Sequence, residues 1–455
     1  MNTYFNAEYG FKNKLFLAVN AAMDGSSRFG KQVKNGVAIN GNHFAVLPSA
    51  SLAWLMSSEN FMADSPIDLF KVRLTWGLTG NDDIGNYTSR QTYVSQNFLG
   101  MQGLVRNGIP NPALQWETGE KFNAGIDLAA WNDRLNFSLD VFHTQTRNML
   151  VYEQLAGATG FNTVLTNNGR MLNTGMEASL SLRLVNQKNF KWDISANTTT
   201  LQNKVKDIPG TGFVTEYAGA TILTQNNRPA ASFYGYKTKG VFATTAEALS
   251  SGLQVRNADG SLRPFGGGDI RFADMNSDKI IDENDRRVLG NALPEFFGGF
   301  TNRFTYRGFG LEALFTYAKG HEVFNYVRYR LETASTTDNQ LNSVLNRWRA
   351  EGQVTNMPKA TYGDPLGNSR FSDRWIEDGS YLRLRHVSLS YIIPVKEGFV
   401  RNATVYITGT NLLTFTKYMG YDPEFSASPS VFAQGIDTGL DPLYRSATLG
   451  VKLGF

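Results

Sequence analysis

The segment from Asp274 to Arg287, DMNSDKIIDENDRR, carries the clearest pattern of chemically useful side chains in the sequence. Oxygen-bearing residues stand at relative positions 1, 3, 5, 9 and 12, a spacing with which one loop can direct its ligands at a single cation. A hard divalent cation such as Ca²⁺ takes about six to eight oxygen ligands. We therefore predict a structural calcium site. Its predicted ligands are the side chains of Asp274, Asn276, Asp278, Asp282 and Asp285 and the backbone carbonyl of Ile280.

Two features of this segment differ from a calcium-sensing EF-hand. Lys279 stands where the sharp turn favours Gly, and the preceding GGGDIRFA does not have the pattern of an entering helix. A solvated acidic turn without a bound ion is the alternative interpretation. The sequence thus favours a structural calcium site that stiffens a loop over a calcium sensor.

No group of residues with catalytic spacing accompanies this segment. The histidines are far apart in the sequence, the serines lack a Gly-x-Ser-x-Gly motif, and no Gly-rich loop leads into a helix. Carboxylate pairs such as Glu117 with Glu120, or Asp282 with Asp285, are typical of solvated turns and strand ends. We predict that the chain is not an enzyme and requires no cofactor. The four histidines are His43, His143, His321 and His386.

The composition excludes several classes of protein. The chain has no cysteine, which rules out disulfide frameworks and thiolate chemistry. Its net charge of +4 is not gathered into a basic run, so we expect no nucleic-acid partner. Charged residues make up 18%, below the roughly 25% of soluble domains, and aromatic residues make up 13%. This mixture suits β-strands with an apolar outer surface.

Alternation of apolar and polar residues is the main structural signal. In FKVRLTWGLTG, Phe70 to Gly80, every second residue is apolar, and RLNFSLDVFHTQT and GMEASLSLRL repeat the pattern. A period of two indicates a strand with one apolar and one polar face. Each segment has about ten residues, the length that a tilted strand needs to cross a bilayer. No apolar run of about 18 residues occurs, but membrane-spanning strands do not need one.

The connections between these segments alternate between short and long. Tight turns are predicted at Asn132 and Asp133, at residues 186–189, and at Arg307 and Gly308. The other connections, roughly 25–42, 81–112, 203–294 and 319–378, are long, polar and rich in Gly and Asn. Several such loops are unusual in a compact soluble domain, whereas outer-membrane barrels have short periplasmic turns and long extracellular loops.

The end of the chain and one phase slip add detail to this prediction. RSATLGVKLGF forms an alternating strand that stops at the aromatic Phe455, as suits the closing strand of a barrel. In YLRLRHVSLSYIIP the apolar parity changes near Arg385 and His386, which predicts a β-bulge. We count about thirteen strands, whereas single-chain bacterial barrels usually have an even number. The sequence also begins without an export signal. From these two observations we expect that earlier strands are missing.

Nine segments, in the same order, resemble the C-terminal barrel part of SusC/RagA-type TonB-dependent outer-membrane transporters of Bacteroidetes-like bacteria. They are DGSSRFG at 24–30, LPSASLAWLMSSENFM at 47–62, LFKVRLTWGLTGN at 69–81, NPALQWET at 111–118, FNAGIDL at 122–128, NNGRMLNTGMEASL at 167–180, SFYGYKTKGVF at 232–242, GDIRFADMNSDKIIDENDRRVLGNALPEFFGGF at 268–300, and the terminal strand.

This resemblance implies an all-β fold, a transmembrane antiparallel β-barrel of about 22 strands, of which residues 1–455 would supply the last thirteen or so. The signal peptide, the plug domain and the first strands of the family have no counterpart in the sequence. The implied function is outer-membrane import of glycan or peptide together with a SusD-like lipoprotein, energised by the TonB complex through the missing plug segment. The loops at 203–294 and 319–378 are implied to contact that lipoprotein and the substrate.

A different class of function remains compatible with the acidic segment. The chain would then be a calcium-stabilised extracellular β-rich binding or adhesion protein. The two hypotheses differ in where the apolar strand faces point: a barrel turns them toward lipid, whereas a soluble sandwich buries them. The residues that distinguish them are Val72, Leu74, Leu135, Leu139 and Leu449.

Overall fold

The computed structural model describes residues 2–394, 399–425, 430 and 433–455. Within them, none of the helices has both the length and the apolar character needed to cross a membrane. Up to residue 207 the strands are β1 (Asn2–Phe11), β2 (Leu15–Gly25), β3 (Val37–Ile39), β4 (Asn42–Leu55), β5 (Ile67–Asn81), β6 (Tyr93–Phe98), β7 (Met101–Arg106), β8 (Glu117–Ala130), β9 (Leu135–Gln154), β10 (Thr163–Asn186) and β11 (Phe190–Asp207).

The remaining elements of the described ranges include two α-helices. They are β12 (Phe213–Tyr217), β13 (Ala220–Thr224), β14 (Ser232–Gly235), β15 (Thr238–Val241), α1 (Thr245–Ser251), β16 (Gln254–Arg256), β17 (Leu262–Pro264), β18 (Ile270–Phe272), β19 (Arg287–Asn291), β20 (Phe296–Tyr306), β21 (Phe309–Lys319), β22 (Glu322–Asn325), α2 (Tyr326–Leu331), β23 (Ile376–Asp378), β24 (Tyr381–Ile393), β25 (Asn402–Thr416), β26 (Ile436–Asp437) and β27 (Ser446–Gly454). Short 3-10 helices cover Met56–Ser58, Asn60–Met62, Gly157–Thr159, Glu283–Asp285, Asn342–Asn346 and Asp373–Trp375.

One large sheet forms the wall of the molecule. Its strand order is β1-β2-β4-β5-β8-β9-β10-β11-β20-β21-β24-β25-β27, with the short β3 paired to β4. Each wall strand is antiparallel to the next one along the chain, so the wall is an up-and-down meander. Antiparallel neighbours need only short turns, and four of the described connections between wall strands have four residues or fewer: 12–14, 131–134, 187–189 and 307–308. The predicted all-β class is confirmed; the number of strands in the whole barrel stays a prediction.

The register of the wall separates apolar from polar side chains. One row across four strands runs through Val72, Ile126, Leu139 and Ala178, because each residue lies opposite the next. The outward side chains remain open: Leu74 is 42% exposed and Leu449 is 76% exposed. An exposed apolar band of this size needs a nonaqueous environment. A sandwich, in which these side chains would be covered, does not fit.

The predicted tight turns are present at one end of the wall. Asn132 and Asp133 connect β8 to β9 with φ angles of 57°, and Arg307, with a φ of 44°, connects β20 to β21. Residues 187–189 connect β10 to β11. The short polar side chains of Asn and Asp tolerate the left-handed region. The prediction of alternating tight turns and long connections is therefore confirmed.

The predicted bulge lies in β24. Leu314 faces His386 while the next residue, Phe315, faces Leu384, so Arg385 is the extra residue. The register of β24 with β25 also shifts between Leu384 and His386. One inserted residue returns Val387 and the following apolar residues to the outer face. The Arg385 side chain is redirected and its Nη1 donates a hydrogen bond to Glu424 Oε2 at 3.0 Å.

At the other end of the wall, residues 208–295, 320–380 and the described part of 417–445 form a folded body that we call the rim cap. Its two largest hydrophobic cores are accompanied by a smaller buried cluster of Ala334, Val344 and Met357. One surrounds Phe242, Phe265 and Phe272, and the other surrounds Phe324 and Trp375. Long loops with their own buried side chains are ordered by the same apolar burial that stabilises a small domain.

The absence of native cysteine allows a direct test of the two faces. Single cysteines at Leu74, Leu139 and Leu449 in the bilayer-inserted protein are expected to react with a lipid-phase maleimide, because these positions lie on the outer face of the wall. Thr75→Cys and Ser179→Cys, on the opposite face, are the matched controls and should react only with a water-soluble reagent. Labelling of all five positions from water alone would contradict the assignment of the faces.

Candidate functional site

The acidic segment lies inside the rim cap, and its carboxylates accept hydrogen bonds from the backbone of the same loop. Asp274 accepts from the amides of Ser277 at 2.6 Å and Lys279 at 3.0 Å. Asp285 accepts from Met275 N at 2.7 Å and Asp282 N at 3.0 Å. The twelfth residue of the predicted motif thus contacts the second, and the loop closes on itself.

The central residues of the same loop form a series of tight turns. Asn276 Oδ1 accepts from the amide of Asp278 at 3.1 Å, and Asp278 Oδ1 accepts from the amide of Ile280 at 2.8 Å. Lys279 has a φ of 66°, the left-handed conformation for which Gly is favoured at this position. The backbone therefore makes the sharp turn despite the lysine, which removes one objection to the motif.

The two ends of the segment differ in burial and in charge compensation. Asp285 is fully buried, and within the described chain no Lys, Arg or His nitrogen lies within 4.0 Å of its carboxylate. Asp282 caps the following 3-10 helix and accepts from Asn284 N at 2.8 Å. Across the described ranges, no group of three or more His, Asp and Glu side chains has an arrangement that would hold a metal by itself. The four aspartates of the predicted ligand set therefore do not form such a group in this structure, and the calcium site stays a prediction.

Backbone hydrogen bonds join the three connections of the rim cap into one body. Tyr236 N donates to Phe371 O at 3.1 Å, and Asp373 N donates to Tyr236 O at 3.0 Å. Phe324 N donates to Gly435 O at 2.7 Å, where β22 and β26 pair in parallel. These bonds link residues from 208–295 to 320–380, and 320–380 to 417–445. The third connection was not among the long loops predicted from the sequence.

Charged side chains reinforce the same contacts inside the cap. The fully buried Asp269 accepts from Lys359 Nζ at 2.9 Å and from Asn368 Nδ2 at 2.9 Å. Glu377 lies 3.1 Å from Arg328 Nη1, and both side chains are largely buried. A buried carboxylate without its cation would carry a large desolvation cost. These pairs therefore fix how the connections pack against one another.

The junction of β21 with the cap contains two ionisable groups whose pKa values are shifted in opposite directions by burial. Burial lowers the pKa of His321, whose backbone carbonyl accepts from Gly379 N at 2.9 Å. Burial raises the pKa of Glu322, whose Oε2 accepts from Asn291 N at 2.9 Å. Desolvation disfavours the charged form of each group. Burial therefore favours the neutral imidazole of His321 and the protonated carboxyl of Glu322.

The remaining sequence candidates do not come together. His43 bonds to the carbonyl of Lys31, whereas His143 and His386 lie on the separate strands β9 and β24. Glu117 accepts from Leu150 N at 2.8 Å, while Glu120 pairs with Arg147. Glu117 and Glu120 thus each have a separate partner, and the two carboxylates do not act as a pair.

Arg73 pairs with two carboxylates on the inner face of the wall. Its guanidinium lies 2.8 Å from Asp127 Oδ2 on β8 and 2.9 Å from Asp140 Oδ2 on β9. To reach Asp140, the side chain crosses Gly125, where a Cβ would stand 2.4 Å from Asp140 Oδ1. The alternating pattern placed Arg73 on the polar face, but only the register of three strands shows its partners.

A wide antiparallel meander with an apolar outer face, a polar inner face and a folded cap at one rim defines the wall of an outer-membrane β-barrel. Residues 2–412 match the family model described as TonB dependent receptor-like, beta-barrel, and the chain belongs to that family. It is an outer-membrane protein of a receptor family that is not an enzyme family. The predicted family and location are confirmed.

Curated relatives include TonB-dependent receptors P3 and P26 of Formosa agariphila, which are 29% and 30% identical over 100% and 98% of this chain. The TonB-dependent receptor SusC of Bacteroides thetaiotaomicron is 26% identical over 100% of the chain. These matches cover 45%, 45% and 43% of the relatives, so the chain spans about half their length. The solved RagAB peptide transporter shares the fold, with a TM-score of 0.82 and 24% identity over 100% of this chain and 47% of that one.

Replacing Gly125 with alanine is expected to weaken the Arg73 contacts, because the new methyl group would also lie 2.8 Å from Arg73 Nη2. We expect the free energy of unfolding to fall by roughly 1–3 kcal/mol, as for the loss of charge-assisted hydrogen bonds. Heat-modifiable gel mobility of the protein measures the effect. Gly157→Ala is the control, since a Cβ there meets nothing within 4 Å. Equal unfolding midpoints for the two variants would contradict the role of Gly125.

Proposed function

We propose that the chain forms wall and rim of an outer-membrane importer for glycan or peptide oligomers, acting with a SusD-like lipoprotein. The observation that carries this proposal is the rim cap, a folded body of three connections standing directly on a wall with a polar inner face. A cap with fixed packing offers a stable surface to a lid protein and to a substrate. Coupling to the TonB complex, which the resemblance assigns to a plug segment, belongs to this proposal and rests on family membership.

The wall contributes the second half of the proposal. Polar and charged residues such as Arg73, Asp127 and Asp140 line its inner face, while the outer face is apolar. Hydrophilic oligomers can pass a surface of this kind without losing hydrogen bonds. An adhesion protein would not need a polar inner face opposite an apolar outer face. Membership in the receptor family also favours import over adhesion.

Import is tested in the native host with the full-length protein. Deletion of its gene is expected to abolish uptake of one labelled pool, either oligosaccharides or oligopeptides, and an uncoupler of the inner membrane should have the same effect. Asp373→Ala, which removes the acceptor of Thr238 N at 3.0 Å and Thr238 Oγ1 at 2.7 Å, should reduce that uptake by loosening the cap. Unchanged uptake of both pools after deletion would refute the proposal.

We also propose that the acidic loop holds a structural Ca²⁺. The ligands would be the side chains of Asp274, Asn276, Asp278, Asp282 and Asp285 and the carbonyl of Ile280. The fully buried, ion-unpaired carboxylate of Asp285 and the left-handed turn at Lys279 support it. The ion would offset the enclosed negative charge and hold the segment against the rest of the cap, where Arg370 Nη1 donates to Ile281 O at 3.2 Å.

Calcium titration of the full-length protein by calorimetry tests this site. We expect a dissociation constant on the order of 10⁻⁴–10⁻³ M, as in extracellular calcium modules, and slower proteolysis of the cap when Ca²⁺ is present. Asp278→Ala should remove both effects. Glu283→Gln, at a neighbouring exposed carboxylate outside the ligand set, should leave them intact. Absence of calcium heat in the unmodified protein would reduce the motif to a solvated turn.

A further inference from the structure

A groove at the rim lies outside the cap, between the connections 26–41 and 82–116. Two adjoining pockets of about 310 and 540 Å³ form it, and they share Phe29, Gly30, Lys31 and Arg90. The groove stands at the same end of the wall as the rim cap, because both connections follow outward-running strands. It is therefore open to the side from which an imported oligomer would arrive.

The backbone of the groove is fixed by close contacts between its two connections. Gly30 N donates to Leu114 O and Gln32 N donates to Pro112 O, both at 2.9 Å. A Cβ at Gly30 would stand 1.8 Å from Pro112 O, so only glycine allows this approach. Phe29 packs edge-on against Trp116 at 5.8 Å. The two walls of the groove are thus held at a set distance.

The charges that line the groove are all positive. Lys31 and Arg90 line both pockets, and neither pocket is lined by Asp or Glu. In the described part of the chain no carboxylate lies within 4.0 Å of the charged nitrogens of either residue, whereas nearby Arg28 is paired with Asp82 at 3.2 Å. Arg90 lies over the ring of Tyr87 at 5.0 Å, which orients its guanidinium without neutralising it.

Ser89 provides a separate indication of a ligand. Its side chain is only 3% exposed and lines the larger pocket, yet its Oγ has no hydrogen-bond partner. Buried hydroxyl groups in native proteins nearly always have a partner. Ser89 thus adds an unpaired hydroxyl to a pocket that Lys31 and Arg90 also line, and hydroxyl and cationic donors are the groups that bind an oxyanion.

We propose that this groove binds a carboxylate group carried by the imported oligomer. Arg90 would make the paired hydrogen bonds that a planar guanidinium gives to a carboxylate, Lys31 would add a second charge, and Ser89 would donate its hydroxyl. This inference rests on the proposed import function and specifies the substrate as acidic. The carboxylate can come from a uronic-acid oligosaccharide or from an acidic peptide, since the groove recognises the group that both share.

Binding to the purified full-length protein tests the proposal by calorimetry. The probes are an oligogalacturonate and its methyl ester, and a Glu-containing hexapeptide and its Gln counterpart with an amidated end. At least one acidic probe is expected to bind about tenfold or more tightly than its uncharged partner, and to weaken as salt is added. The arm that binds identifies the source of the carboxylate. Equal binding within both pairs, or no binding of any probe, would overturn the proposal.

Variants then assign the binding to these residues. The double change Lys31→Gln with Arg90→Gln should remove the preference for the acidic probe, and Ser89→Ala should weaken it without changing the charge. Lys34→Gln is the matched control, because Lys34 is an exposed lysine of the same connection that lines neither pocket. An unchanged preference in the double variant would exclude the groove. Loss of host uptake on deletion of the gene, together with an unchanged acidic preference in the double variant, would refute this site and leave the import function standing.

Discussion

Every backbone amide and carbonyl in the membrane-spanning wall needs a hydrogen-bond partner within the protein, because the hydrocarbon interior of a bilayer offers none. The antiparallel meander meets this constraint through continuous registers, such as that between β5 and β8 from Leu69 to Asn81. Pairing of this kind fixes which side of each strand faces outward. The apolar band, the polar inner face and the placement of the turns all follow from it.

The inner face shows how side chains reinforce backbone pairing. Arg73 reaches from β5 across β8 to Asp140 on β9, so one guanidinium ties three strands together. This contact can form only because residue 125 is a glycine, which has no side chain to fill the space above β8. The attraction between opposite charges is stronger where water has less access to them. The Arg73 pairs are partly buried, with side-chain exposures of 21–27%, so they gain from this effect.

The rim solves a different problem, since its long connections must be ordered in water. The cap does so with apolar cores around Phe272 and Trp375 and with buried pairs such as Asp269 with Lys359. The groove near Arg90 lies outside these cores and keeps its charges unpaired. Rigid surroundings with free donors are what recognition of an anion needs, because the cost of ordering is met before the ligand arrives.

The sequence by itself determined the wall strands, their faces, the tight turns and the bulge near Arg385, because a period of two and the preferences of Asn, Asp and Gly in turns are local properties. It also marked the acidic segment, whose spacing is readable along the chain. Only the tertiary structure decided that Asp373 binds the backbone of Thr238, that 417–445 joins the cap, and that Lys31 and Arg90 line one groove. These contacts join residues far apart in sequence, and nothing in the local alternation of either segment specifies the other.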